Sequence, residues 1–226
     1  MEHLKISRAE GARRTLLAAI GNYSHLIWDW NGTLLDDAGL CTEVIGEVLS
    51  EYSLDPISLE HYREVFSFPV IEYYKKLGFD FEKVPFETVG DRFITRYSER
   101  VTAARLFDGV PEMLDALQNR GTRQWILSAA SQWDLDQVTS HFGIRGHFTE
   151  ICGIENQYAA SKVERGRDLM KRAGFPREQT LLIGDTNHDL EVAKELGISA
   201  LLVADGHQSY GRLSLLHERV LKSRFI

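Results

Sequence analysis

The stretch that most limits what this chain can fold into is His25–Asp36, a short apolar run that stops on Asp29 and enters a loop through Gly32. An apolar run of this length, ending on a carboxylate ahead of a glycine, reads as a buried strand that delivers Asp29 to its carboxyl end. A lone Asp at such a place is most often a turn or helix-cap carboxylate. Two later runs end in the same manner, Gln124–Ser128 on Ser128 and Leu181–Asp185 on Asp185. In a parallel sheet all three polar ends fall on one edge, and in open α/β sheets ligands bind at that edge.

The rest of the chain supplies the helices such a sheet needs. Pro111 suits the first turn of a helix that ends before Gly121. Strand 123–128 follows, then a helix through Trp133, Val138 and Phe142 to Gly143, and a short strand near 148–151. A helix from Lys162 to Gly174, strand 180–184, helix 187–196, strand 199–203 and a last helix near 210–218 complete the alternation. Alternating strands and helices predict a Rossmann-like, doubly wound parallel sheet of the α/β class.

One segment breaks the alternation. After Thr33 the apolar residues recur only at helical spacing: Val44, Ile45, Val48, Leu49 and Tyr52 behind a Thr42 cap, then Tyr62, Val65 and Phe66 behind Ser58. Phe68-Pro69 interrupts that second helix. A third carries Ile71, Tyr74 and Leu77 and ends at Gly78, and a fourth spans roughly 86–103 with Val89, Phe93, Ile94, Tyr97 and Val101. The expected organisation is a core of residues 1–37 and 105–226 with an all-helical insert, 38–104, hinged near Asp36–Gly39 and Ala104–Gly109. Residues 4–20 read as an amphipathic N-terminal helix with Leu4, Leu16, Leu17 and Ile20 on its apolar side, packed on the domain or on a second subunit.

Bulk properties exclude several functions. A net charge of −7 without a broad basic face argues against a nucleic-acid surface. No apolar run approaches the length needed to cross a bilayer, and the apolar part of Thr15–Ile20 is too short for a signal peptide. Cys41 and Cys152 lie far apart and lack metal-type spacing, which fits free thiols in a reducing cytoplasm. There is no Gly-x-Gly-x-x-Gly fingerprint and no Walker-type Gly-Lys-Ser/Thr.

Asp29-Trp30-Asn31-Gly32-Thr33-Leu34 resembles the first motif of the haloacid dehalogenase-like hydrolases, usually Asp-x-Asp-Gly-Thr-Leu. Ser128 fits the second motif, Lys162 the third, and Gly184-Asp185-Thr186-Asn187-His188-Asp189 the fourth. The resemblance implies a helical cap over a Rossmann-like core, similar to phosphoglycolate phosphatases, and an Mg²⁺-dependent phosphatase that works on a small phosphorylated metabolite through an aspartyl-phosphate. It implies Asp29 as nucleophile, Mg²⁺ held by Asp29, Asp185 and the Asn31 backbone carbonyl, and Asp189 behind these ligands. Ser128 and the backbone N–H groups near Trp30 and Ala129 would donate to the phosphoryl oxygens, with Lys162 as a second positive charge. Phe66 and Phe68 flank the cap-loop position that reaches over the site, which disfavours a glycolate-sized substrate.

One position departs from the pattern: Asn31 stands where these phosphatases carry their acid/base Asp. Two alternatives therefore stay open beside a phosphatase, a phosphotransferase or mutase and a phosphate-binding protein with little turnover. A monomer and a homodimer fit the sequence equally. His188 and His207 are read as structural.

Overall fold

The structure, a computed structural model, describes residues 15–154, 162–204 and 206–222. Helix α1 covers residues 15–20, with Leu16 and Ile20 buried; Leu4 and the rest of the expected N-terminal helix lie outside the described residues. Among the described residues the core sheet has six strands: β1 (His25–Trp28), β4 (Arg123–Ser131), β5 (Glu150–Ile154), β6 (Thr180–Gly184), β7 (Ser199–Val203) and β8 (Val220–Leu221). Their order is β5-β4-β1-β6-β7-β8, all parallel. The chain therefore runs outward from β1 in one direction, returns, and builds outward in the other, which puts β1 at the switch point of a doubly wound sheet.

Each strand is apolar on both faces because helices cover both. On β1, Leu26 and Trp28 join a cluster with Met113 and Leu117 of α6 (Val110–Asn119) and with Leu135 and Val138 of α7 (Gln132–His141). Ile27, between them, joins the opposite cluster with Leu169 of α8 (Lys162–Ala173), Leu190 and Leu196 of α9 (Asn187–Leu196) and Leu213 of α10 (Tyr210–Ser214). This is the period-two alternation of a strand buried on both sides.

Between β1 and β4 the chain leaves the sheet. A stem of two short antiparallel strands, β2 (Leu35–Asp36) and β3 (Arg105–Leu106), marks its exit and return. Four helices lie between them: α2 (Ala38–Glu51), α3 (Leu59–Val65), α4 (Val70–Lys76) and α5 (Phe86–Arg100). They enclose their own apolar cluster, with Ile45, Leu49, Tyr62, Tyr74 and Val89 among its members. Ser58 caps α3 as expected, accepting from the His61 N–H at 3.1 Å. Thr42 caps nothing. The first α-helix of the insert starts at Ala38, and the Thr42 hydroxyl donates to the Ala38 carbonyl inside it at 2.8 Å. The last helix is also shorter than its periodicity suggested, ending at Ser214.

Polar contacts join the insert to the core. Asp37, fully buried at the foot of α2, sits 3.3 Å from Nε2 of His207, which lies in the loop after β7. Tyr97 of α5 donates its hydroxyl to Asp37 Oδ2 at 2.6 Å, and Tyr62 of α3 meets His207 Nδ1 at 2.8 Å. Arg63 Nε reaches the Gly206 carbonyl at 2.8 Å, and Gln208 Nε2 the Phe66 carbonyl at 3.1 Å.

The Asp37–His207 contact is ionic. Burial alone lowers an imidazole pKa and raises a carboxyl pKa, but here the facing charges outweigh it. The imidazole is pushed up to about 9, and the Asp37 carboxyl is held below its ordinary 3.8. His207 therefore contributes stability that is full below its ordinary 6.5 and is lost as pH rises through about 9. Asp37 contributes stability above 3.8 that is lost as pH falls through its lower folded value. Denaturant titrations of wild type and His207→Gln should differ most between about pH 4 and 6.5, by about 3 kcal/mol or less, and converge by about pH 9.5. A gap that stays constant across that range would mean the pair carries no charge in the fold.

Candidate active site

The strand ends put the polar residues together. Asp29 directly follows β1, and its N–H still bonds across the sheet to the Ile183 carbonyl at 2.8 Å. Asp185 directly follows β6, and Asp189 occupies the first turn of α9. Lys162 is the first described residue of α8. All four are buried. Lys162 Nζ donates to Asp29 Oδ1 and, at 2.6 Å, to Asp189 Oδ1. Thr33 Oγ1 ties the two strand ends, 3.2 Å from Asp29 Oδ2 and 3.1 Å from Asp185 Oδ1.

Close backbone approach makes this possible. Gly32 has φ +67°, and a Cβ there would collide with the Asp185 carboxylate and the His207 ring. A left-handed backbone and missing side chain are both needed at that place. Gly184 serves in the same way, since a Cβ would strike the Asp189 carboxylate.

Asp189 has two jobs. Its Oδ2 accepts from the N–H groups of Asp185 at 3.2 Å and Thr186 at 3.0 Å and from the Thr186 hydroxyl at 2.7 Å. With Thr186 it forms a reciprocal capping box on α9. Its Oδ1 holds Lys162, so the same carboxylate starts a helix and aims an ammonium at Asp29.

The local field is short of positive charge. Burial raises the Asp29 carboxyl, the Lys162 ammonium opposes this, and the Asp189 and Asp185 charges add to it, leaving the group at about 8. For Asp189 the lysine and helix-start bonds outweigh burial and hold the carboxyl below its ordinary range. The Lys162 ammonium stays protonated because its two carboxylates outweigh burial. Asp29, Asp185 and Asp189 each present one oxygen, all within 4.8 Å of one another. An all-oxygen set with surplus negative charge fits a hard divalent cation. A second close group among the described residues, Asp37, Cys41 and His207, is occupied by its own bonds, with the Cys41 thiol 3.6 Å from Asp37 Oδ2.

Asn31 is half-buried, and its amide reaches the hinge and the cap. Its Nδ2 donates to Asp37 Oδ2 at 2.7 Å and to the Tyr97 hydroxyl at 2.6 Å. The strand expected to end on Ser128 runs on to Ser131, so Ser128 lies within β4, where its Oγ accepts from the Ala130 N–H at 3.1 Å. A cavity of about 790 Å³ opens over this edge, walled by Asp29, Asn31, Ser128, Ala129, Phe66 and Phe68 among others. Trp30 borders it too, yet its side chain is part of the core cluster and only 1% exposed. Phe66 packs on the His207 ring at 5.3 Å and Phe68 on the His188 ring at 4.8 Å.

Sequence reasoning passed over Thr33, Asp37, Tyr62 and Tyr97 as site residues and left His207 as structural. Thr33 had a signal, its position directly behind Gly32 in the first motif. The others had none: Asp37 meets nearby Asn31 and Gly32, but Tyr62, Tyr97 and His207 come to the site from distant segments.

The profile of the haloacid dehalogenase-like hydrolases matches residues 26–203. A 5'-nucleotidase of Pseudomonas aeruginosa is 30% identical over 198 residues, covering 84% of this chain and 87% of its own. A phosphoglycolate phosphatase of Synechococcus elongatus is 23% identical over 183 residues, covering 80% and 84%. A haloacid dehalogenase-like family protein of Streptococcus pneumoniae superposes with a TM-score of 0.76 at 17% identity, over 90% of this chain and 95% of that one. With the sheet order, the helical insert and the carboxylate–lysine cluster already in place, the match over most of the chain is decisive: this protein belongs to the haloacid dehalogenase-like hydrolase family.

Proposed function

We propose that the protein is an Mg²⁺-dependent phosphomonoesterase that acts on a small phosphorylated substrate through an aspartyl-phosphate on Asp29, with residues 38–104 as its cap. The observation that carries this reading is Lys162 seated on Asp29 and Asp189, beside Asp185 and under the cavity. Relatives named as a phosphoglycolate phosphatase and a 5'-nucleotidase support it.

An Asp29 carboxylate oxygen attacks phosphorus as the bond from phosphorus to the alcohol oxygen breaks. Water then splits the acyl phosphate, releasing inorganic phosphate and returning the carboxylate. Asp29, Asp185 and the Asn31 backbone carbonyl would hold Mg²⁺, with Asp189 behind them; bound there, the ion offsets the charge that carboxylates and phosphoryl oxygens bring to one place. Lys162 adds a second positive charge at the attacking carboxylate. The Ser128 Oγ accepts from Ala130, so its own hydrogen can be given to a phosphoryl oxygen.

Asn31 is the slow point. A carboxamide can neither protonate the leaving oxygen nor take a proton from water at neutral pH. Its Nδ2 is moreover committed to Asp37 and Tyr97. The same residue supports a second reading, a phosphotransferase or mutase, in which the aspartyl-phosphate outlives those of relatives and passes to another acceptor.

Asp29→Asn should abolish phosphate release from a panel of phosphate esters while leaving the fold intact by circular dichroism; a tenth of wild-type turnover would remove Asp29 from the nucleophile role. Mg²⁺ titrations should show that Asp185→Asn weakens the metal more than Asp189→Asn does, because the first removes a direct ligand and the second disturbs its surroundings. The opposite order would exchange the two assignments. Asn31→Asp should raise steady-state hydrolysis about 10-fold or more, the scale of general acid–base help. It should also cost about 1–3 kcal/mol of stability, since the new carboxyl faces Asp37 Oδ2 where a donor stood. Samples need peptide mass spectrometry to exclude deamidation at Asn31-Gly32. Equal turnover by the intact amide protein would show that another group supplies the proton.

A further inference from the structure

We infer that the alcohol part of the substrate is large, uncharged and mostly apolar; this rests on the phosphomonoesterase reading above. The cavity, at about 790 Å³, is far larger than a two-carbon alcohol fills. Phe86, Phe93 and Val101 wall it from the cap side, and Leu135 and Val138 from α7. Gly90, in the middle of α5, also lines it, and a Cβ added there would meet nothing within 4 Å. A glycine inside a helix is unfavourable by about 0.5–1 kcal/mol against alanine, and here it widens the cavity.

Charge in the wall excludes an anionic alcohol. Among the described lining residues the basic side chains are Lys162, His188 and His207. Lys162 is held by Asp29 and Asp189, His207 faces Asp37, and His188 lies 3.3 Å from Glu191. The remaining charged groups on the cap side and on α7 are carboxylates, Glu87 and Asp134. A substrate carboxylate, as in phosphoglycolate, would meet negative charge without a free cation. Tyr73 adds a further mark of a ligand. It lines the cavity, is 2% exposed, and its hydroxyl is buried with no partner among the described residues. A neutral polar atom on the alcohol would satisfy it, since buried hydroxyls are rarely left unpaired.

The test compares two primary-alcohol esters of matched leaving-group basicity, 4-phenylbutyl phosphate and 4-carboxybutyl phosphate, with methyl phosphate as the minimal substrate and p-nitrophenyl phosphate as the control for turnover, all with Mg²⁺. Phosphate release should give the phenyl ester a kcat/KM at least about tenfold above the carboxylate ester and above methyl phosphate, the scale set by filling an apolar pocket. Gly90→Leu, which fills the cavity and favours the helix, should reduce kcat/KM for the phenyl ester by about tenfold more than it reduces that for methyl phosphate. Equal rates for the two matched esters, a preference for the carboxylate, or an equal loss on every ester in Gly90→Leu would overturn the inference while leaving the phosphatase standing. No phosphate from any ester, p-nitrophenyl phosphate included, would overturn the phosphatase reading and this inference with it.

Discussion

The structure depends on one buried charge arrangement, Lys162 held between Asp29 and Asp189. Three elements meet in it: the end of β1, the start of α8 and the start of α9. Removing Lys162 from such a group leaves its carboxylates buried without a compensating charge, which costs about 3–5 kcal/mol in typical cases. Burial here is no route to greater stability, because apolar residues of the same volume would serve at least as well. What it provides is an ammonium and carboxylates kept in fixed relation at the ligand-binding edge of the sheet. The crowding of Asp185 and Asp189 on Asp29, which raises the Asp29 carboxyl, is the feature that suits the site to a cation and an anionic group together.

A second network adjoins the first. Asp37 accepts from Asn31, Tyr97 and the Gly32 N–H, and faces His207. His207 in turn gives its backbone N–H to Asp185 Oδ2 at 2.5 Å. The hinge, the cap helices and the strand-end carboxylates are therefore bonded through a few side chains. An Asn at residue 31 fits this network better than an Asp would, since its amide supplies a donor to Asp37 where a carboxylate would bring repulsion. The departure from the family pattern thus has a structural counterpart beside its catalytic consequence.

Much of this was legible in the chain. The apolar runs ending on Asp29, Ser128 and Asp185 marked strands because burial on both faces demands continuous apolar residues. Helical spacing marked the insert. The motif carboxylates and Lys162 were placed by order along the chain, since each sits at the junction of a strand or helix whose own pattern is local. The errors were local too: Thr42 looked like a cap because it precedes the periodic apolar residues, yet α2 begins at Ala38, one residue after Asp37.

By itself, then, the sequence determined the five longer strands, most of the helices and the places of Asp29 and Asp185 at the ends of β1 and β6, because those features depend on neighbours only a few residues away; the short strands β2, β3 and β8 left no such pattern, since pairing with distant segments makes them. The tertiary structure alone decided which carboxylate of the Asp36-Asp37 pair turns inward. Asp36 stays exposed on the stem, while Asp37 is fully buried and meets partners from residues 31, 97 and 207. Asp36 is the last residue of β2, while Asp37 is the N-cap of α2, where the backbone has left the strand with φ −118° and ψ 1°, and no local pattern records which side distant residues will come to occupy. The same reason hid His207, whose charge comes from Asp37, and the cavity, whose walls come from helices far apart in the chain.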